Sequence, residues 1–186
     1  MPDLAILPLV VMAMALVWFV LQQRLGFMAQ RSADYAGTGP AADIRHHLNG
    51  PIECEGVIYG PTGRVTSRFT ARMEGRWNGS RGTLDEHFAY AGGNTQTRQW
   101  RLSLGNDGAI HAEADDVVGH GVGQQEGASV RLSYRIRLPR HAGGWALDVT
   151  DWMYVMENGT IINRSQFRKF GIKVAELVAT MRRVQP

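Results

Sequence analysis

Val130-Arg131-Leu132-Ser133-Tyr134-Arg135-Ile136-Arg137-Leu138 puts an apolar or aromatic side chain at every second position and a polar one between. Side chains alternate faces along a β-strand, so this run has one buried face and one wet face. The same period recurs at residues 65–73, where Val65, Phe69, Ala71 and Met73 alternate with Thr66, Arg68, Thr70 and Arg72. It recurs again where Arg98, Trp100, Leu102 and Leu104 alternate with Gln99, Arg101 and Ser103. Further strands are expected at residues 52–59, 83–90, 110–117, 145–156 and 160–167. Residues 173–182 read as a last strand or a short helix.

Between these runs lie short turns: Gly60-Pro61-Thr62-Gly63, Ala91-Gly92-Gly93-Asn94, Asn106-Asp107-Gly108 and Glu157-Asn158-Gly159. Asn-Gly and Asp-Gly supply the positive φ that tight hairpins need. Consecutive strands joined by tight turns make an antiparallel up-and-down meander. A long meander removes its exposed edges by closing, so a mainly β, lipocalin-like barrel or strongly curled sheet is expected, with a two-layer sandwich as the alternative.

The N-terminus reads differently. Residues 4–21, LAILPLVVMAMALVWFVL, are uncharged and mostly apolar, with Trp18 and Phe19 near the end. The expectation is a single transmembrane helix acting as an uncleaved anchor, since no Lys or Arg precedes the run and no small-x-small cleavage site follows it cleanly. The predicted organisation is an anchor at residues 1–28, a flexible Gly- and Pro-broken tether at 29–43, and a β-barrel-like domain at 44–186. Arg24 and Arg31 by themselves would place that domain in the cytoplasm.

Composition narrows the function. The net charge of +3 is mild, and no nucleic-acid-binding motif is present. Cys54 is the only cysteine, so no intramolecular disulfide forms. There is no Gly-x-Ser-x-Gly elbow and no His-Glu-x-x-His helix. Gly119-His120-Gly121-Val122-Gly123 does not sit in a βαβ unit, and alternate glycines suit bending or close approach in a strand better than a phosphate cradle. His111, Glu113 and Asp115 share one strand face, but nothing fixes a coordination geometry, and His46-His47 is weaker still. No metal and no cofactor is expected. The outer-face arginines, among them Arg68, Arg72, Arg131, Arg135 and Arg137, read as solvation, with anionic lipid headgroups as the alternative.

Charges on inward faces carry more information. Glu86 shares a face with Leu84, Phe88 and Tyr90, Arg98 with Trp100, and Asp151 with Val149 and Met153. Buried charges require partners, so an internal Arg–carboxylate network is expected. The same groups could meet the head of an apolar ligand, such as a fatty-acid carboxylate at Arg98 or Arg164. The candidate ligand-binding set is Glu86, Phe88, Tyr90, Arg98, Trp100, Asp116, Tyr134, Asp151, Trp152 and Arg164.

Several spaced motifs carry a family resemblance: Gly75-x-Trp77, Leu84-x-Glu86-x-Phe88-x-Tyr90, Arg98-x-Trp100, Asp116-Val117-Val118-Gly119-x-Gly121-x-Gly123, Asp151-Trp152-Met153-Tyr154, Asn163-Arg164 and Lys169-Phe170-Gly171. In this order they resemble the bacterial domain-of-unknown-function family DUF3833. The resemblance implies an envelope lipoprotein-like protein, with a helix here where a lipid-modified cysteine is usual. It favours a single-pass protein of the bacterial inner membrane with the β-domain on the periplasmic face.

Three functions follow as expectations. The first is a membrane-tethered, non-catalytic binding module for a fatty acyl or other apolar ligand. The second is an accessory subunit of a membrane-protein complex, docked through small helix residues such as Ala5, Ala13 and Ala15. The third is a lipid-modifying enzyme using Glu86, Asp116 or Asp151 as acid or base.

Overall fold

The computed structural model describes residues 3–184, apart from the side chains of residues 3–5, 22, 23 and 141. The chain divides into two compact units, Met1–Asp34 and Tyr35–Pro186.

The first unit is built on α1 (Asp3–Arg24), whose described apolar side chains are exposed. The anchor expectation fails here. Among the described residues, no helix is long and apolar enough to cross a membrane. The expectations attached to the side chains of Leu4 and Ala5 lie outside the described residues.

The second unit is a ten-stranded barrel. The strands are β1 (Gly50–Tyr59), β2 (Val65–Asn78), β3 (Arg81–Tyr90), β4 (Thr95–Leu104), β5 (Ala109–Glu113), β6 (Gly121–Glu126), β7 (Ser129–Arg137), β8 (Ala146–Val155), β9 (Ile161–Lys169) and β10 (Ile172–Arg183). Each pairs antiparallel with its sequence neighbours, and β1 closes on β10 from Ile52 opposite Arg183 to Tyr59 opposite Glu176. Closure excludes the sandwich and leaves the start of β4 without a partner on one side. Residues 173–182 are strand, not helix. The run expected at 110–117 ends as a strand at Glu113, and the chain bends through residues 114–120 into β6, a separate strand. The alternate glycines of β6 serve close approach: a Cβ at Gly123 would collide with the Arg131 carbonyl of β7.

One end of the barrel is stoppered. α2 (Ile44–His47) is capped by Asp43, whose carboxylate accepts from the Arg45 amide at 2.9 Å, and it buries Ile44 and, just beyond, Leu48. Trp77 Nε1 donates to the Leu48 carbonyl at 2.8 Å. Gly75 is required beneath it, because a Cβ there would sit within the Leu48 carbonyl. Residues before α2 are tied to the same unit. The Ala42 amide donates to Gly127 O at 2.8 Å, and the Ala128 amide donates to Thr38 Oγ1 at 3.0 Å. The β-unit thus starts at Tyr35, earlier than the border at residue 44 drawn from the Gly and Pro content of the preceding segment.

Candidate functional site

The barrel encloses a cavity of about 1060 Å³. Its floor is Ile44 and Leu48, and its walls are the inward side chains of the strands, with Phe69, Met73, Leu132 and Leu177 among them. Exposed lining residues Asn94 of the β3–β4 turn, Thr95 at the start of β4, and Pro139 and Ala142 of the β7–β8 connection mark the opposite end as the mouth.

The mouth runs down beside β4. β5 pairs with β4 only from Arg101 to Leu104, so residues 95–100 have no ladder on that side. The bend after β5 lies across the gap from them, held to β7 by Val118 N to Arg135 O and Arg137 N to Asp116 O, both 2.8 Å. Arg98 bridges the gap: its Nε donates to Asp116 Oδ1 at 3.0 Å. Its guanidinium carbon lies 4.0 Å from the Trp100 ring centre and 5.4 Å from that of Tyr134, and the two rings meet edge to face at 5.1 Å. Cation–π contacts of this kind gain strength when desolvated.

The carboxyls inside the barrel behave differently from surface ones. Burial pushes Glu86 up to about 7; Arg98 draws it back, and Asp151 and Asp116 add to the rise. Burial also raises Asp151, against the pull of the Ser165 and Tyr134 hydroxyls and of Arg98. Asp151 Oδ1 is buried with no hydrogen-bond partner among the described residues. Burial lifts the Tyr134 phenol well above its ordinary range, so it stays protonated. Arg98 loses to burial but gains more from Tyr134, Glu86 and Asp116, and it stays charged.

Eight of the ten residues chosen from sequence line the cavity. Glu86, Phe88 and Tyr90 come from β3, Arg98 and Trp100 from β4, Tyr134 from β7 and Asp151 from β8, with Asp116 from the bend. The other two do not. Trp152 is fully buried, but on the outward face of β8, where the Tyr35 ring packs against it at 5.4 Å. Arg164, opposite Trp152 in β9, also points outward and is ion-paired with Glu176. A ligand carboxylate inside the barrel therefore does not meet Arg164.

The structure adds residues that sequence reading did not select. Phe69 packs edge to face on Phe88 at 5.5 Å and tilted against Tyr90 at 6.0 Å, and its place on the inner face of β2 was the available signal. Cys54 lines the cavity, and burial, with Glu86 and Glu55 nearby, pushes its thiol up to about 12, far from a reactive thiolate. Asn163 and Ser165 add polar groups from β9. Among the described residues no group of His, Cys, Asp and Glu could hold a metal ion. His111 and Glu113 instead sit 3.1 Å apart on the surface, and Arg101 bridges Glu113 and Asp115.

The profile of the family described as "Protein of unknown function (DUF3833)" matches residues 22–183. The chain belongs to the DUF3833 family. No curated protein matches it. Among solved structures, the S-type phycobiliprotein lyase CPES from Guillardia theta is similar, with a TM-score of 0.55 at 6% identity, covering 76% of this chain and 90% of that one. Rv2717c from M. tuberculosis is similar at a TM-score of 0.50 and 16% identity, over 78% of this chain and 100% of that one. At such identities the likeness is one of fold, and it extends the barrel architecture of this DUF3833 member to two otherwise distant proteins.

Proposed function

We propose that the barrel is a non-catalytic binding module for a fatty acyl or other apolar ligand. The observation that carries this reading is the cavity itself. Its volume of about 1060 Å³ lies just above the roughly 300–1,000 Å³ range of small-molecule sites. It has the composition such sites have: an aromatic and aliphatic wall with a few convergent polar groups at one place. Burying an alkyl chain contributes about 0.8 kcal/mol per CH₂. About ten methylenes thus supply about 8 kcal/mol, which exceeds the lower estimates of about 4 kcal/mol for the freedom lost on association.

Native mass spectrometry of the full chain, followed by solvent extraction, tests the reading. The expected result is a bound apolar species at about one per chain. A folded, empty chain that also shows no saturable binding of a fluorescent acyl probe refutes it.

A further inference from the structure

The polar end of the cavity offers a carboxyl and withholds its guanidinium. Glu86 and Arg98 are direct cross-strand partners on the inner face of β3 and β4, the arrangement in which opposite charges ordinarily pair. They form no ion pair among the described residues. Arg98 turns away, spends Nε on Asp116 and lies over Trp100, and its Nη2 is buried without a partner. Glu86 is left lining the cavity with no hydrogen-bond partner among the described residues.

The surroundings of Glu86 reinforce this. Facing it from the other elements are Arg98 of β4, Asp116 of the bend, Tyr134 of β7, Asp151 of β8 and Cys54 of β1. Three carboxyls therefore share one guanidinium, and Asp116 already holds its Nε. A free carboxylate in the cavity would join Glu86, Asp151 and Asp116 around a single guanidinium that has only Nη2 left to offer it. Like charges in a desolvated site repel strongly. A hydrogen-bond donor meets an unused acceptor instead.

We infer that the guest is an apolar molecule whose polar end is a hydrogen-bond donor, an amine above all, and that the barrel discriminates against the matching free carboxylate. This rests on the binding-module reading and names the ligand class of the same cavity. Burial of Glu86 supports it, because a protonated amine compensates the charge that burial otherwise suppresses.

Titration calorimetry of the full chain with a straight-chain alkyl amine, alcohol and carboxylate of one chain length, each below its micellar concentration at neutral pH, tests the inference. The amine is expected to bind about tenfold or more tighter than the carboxylate, a gap of about 1.4 kcal/mol. Glu86→Gln, a neutral substitute of the same shape, is expected to close most of that gap. A carboxylate that binds as tightly as the amine, or a gap untouched by Glu86→Gln, overturns the inference and leaves the binding module standing. Absence of binding across the whole series removes the binding-module reading and this inference with it.

Discussion

Replacing Glu86 with Gln should change how stability depends on pH, and the size of the change follows from the fold. Glu86 ionises at an ordinary 4.5 in the unfolded chain and at about 7 inside the barrel. Between those values the folded protein holds a proton that the unfolded chain has released. The contribution of Glu86 is therefore complete below about 4.5 and is lost as pH rises through about 7. The displacement corresponds to about 3 kcal/mol in full, of which about 2.5 kcal/mol falls between about pH 5 and about pH 8. Gln cannot ionise, so the variant lacks this loss. Asp43, Glu113 and Glu176, whose pKa values are lowered, do not act on Glu86, so they cancel between the two proteins, whereas Asp151 is coupled to Glu86 and adjusts with it. The assay is urea unfolding of delipidated wild type and Glu86→Gln at the two pH values, since a bound guest would add its own linkage. The stability of wild type relative to the variant should fall by about 2.5 kcal/mol on going to the higher pH. A difference that stays constant with pH would show that Glu86 ionises freely in the folded barrel and is not buried as described.

Two other substitutions probe the frame around the site. Gly75→Ala places a methyl against the Leu48 carbonyl and should destabilise the β-unit by about 1–3 kcal/mol in thermal unfolding, because α2 must shift off the barrel floor; an unchanged melting temperature would deny the contact. Trp152→Ala removes a fully buried ring and should cost about 3–5 kcal/mol. It should nevertheless leave the affinity of the folded variant for an acyl probe unchanged, because the ring lies outside the barrel wall; loss of affinity without loss of fold would place Trp152 in the site after all.

The strands were legible because a barrel wall has one dry and one wet face, and Val130 to Leu138 or Val65 to Met73 record that contrast residue by residue. Where both faces are covered the contrast fails. At Asp151 and Trp152 the dry–wet contrast is lost, with the carboxylate on the cavity face and the indole buried outside beneath Tyr35. Pairing within the polar cluster was legible as a requirement and not as an assignment. Cross-strand proximity favoured Glu86 with Arg98, but the bend after β5 carries Asp116 into the gap beside β4, and that bend is a tertiary feature without a periodic signal. The floor was invisible for a related reason, since α2 is a single turn held by capping and by Trp77, with too few residues to show amphipathic spacing. The helix at the N-terminus was overread: an unbroken apolar run in the sequence is not by itself a span, and among the described residues no helix is long and apolar enough to cross a membrane.

The stoppered floor has a consequence for traffic. With Ile44 and Leu48 closing one end and the mouth at the other, the barrel is a blind alley rather than a corridor. A guest must leave by the way it came, so a newcomer cannot push it out from behind, and exchange has to pass through an empty barrel. The residence time of one guest then sets the arrival of the next, and a donor and an acceptor of the guest would have to take turns at the same doorway.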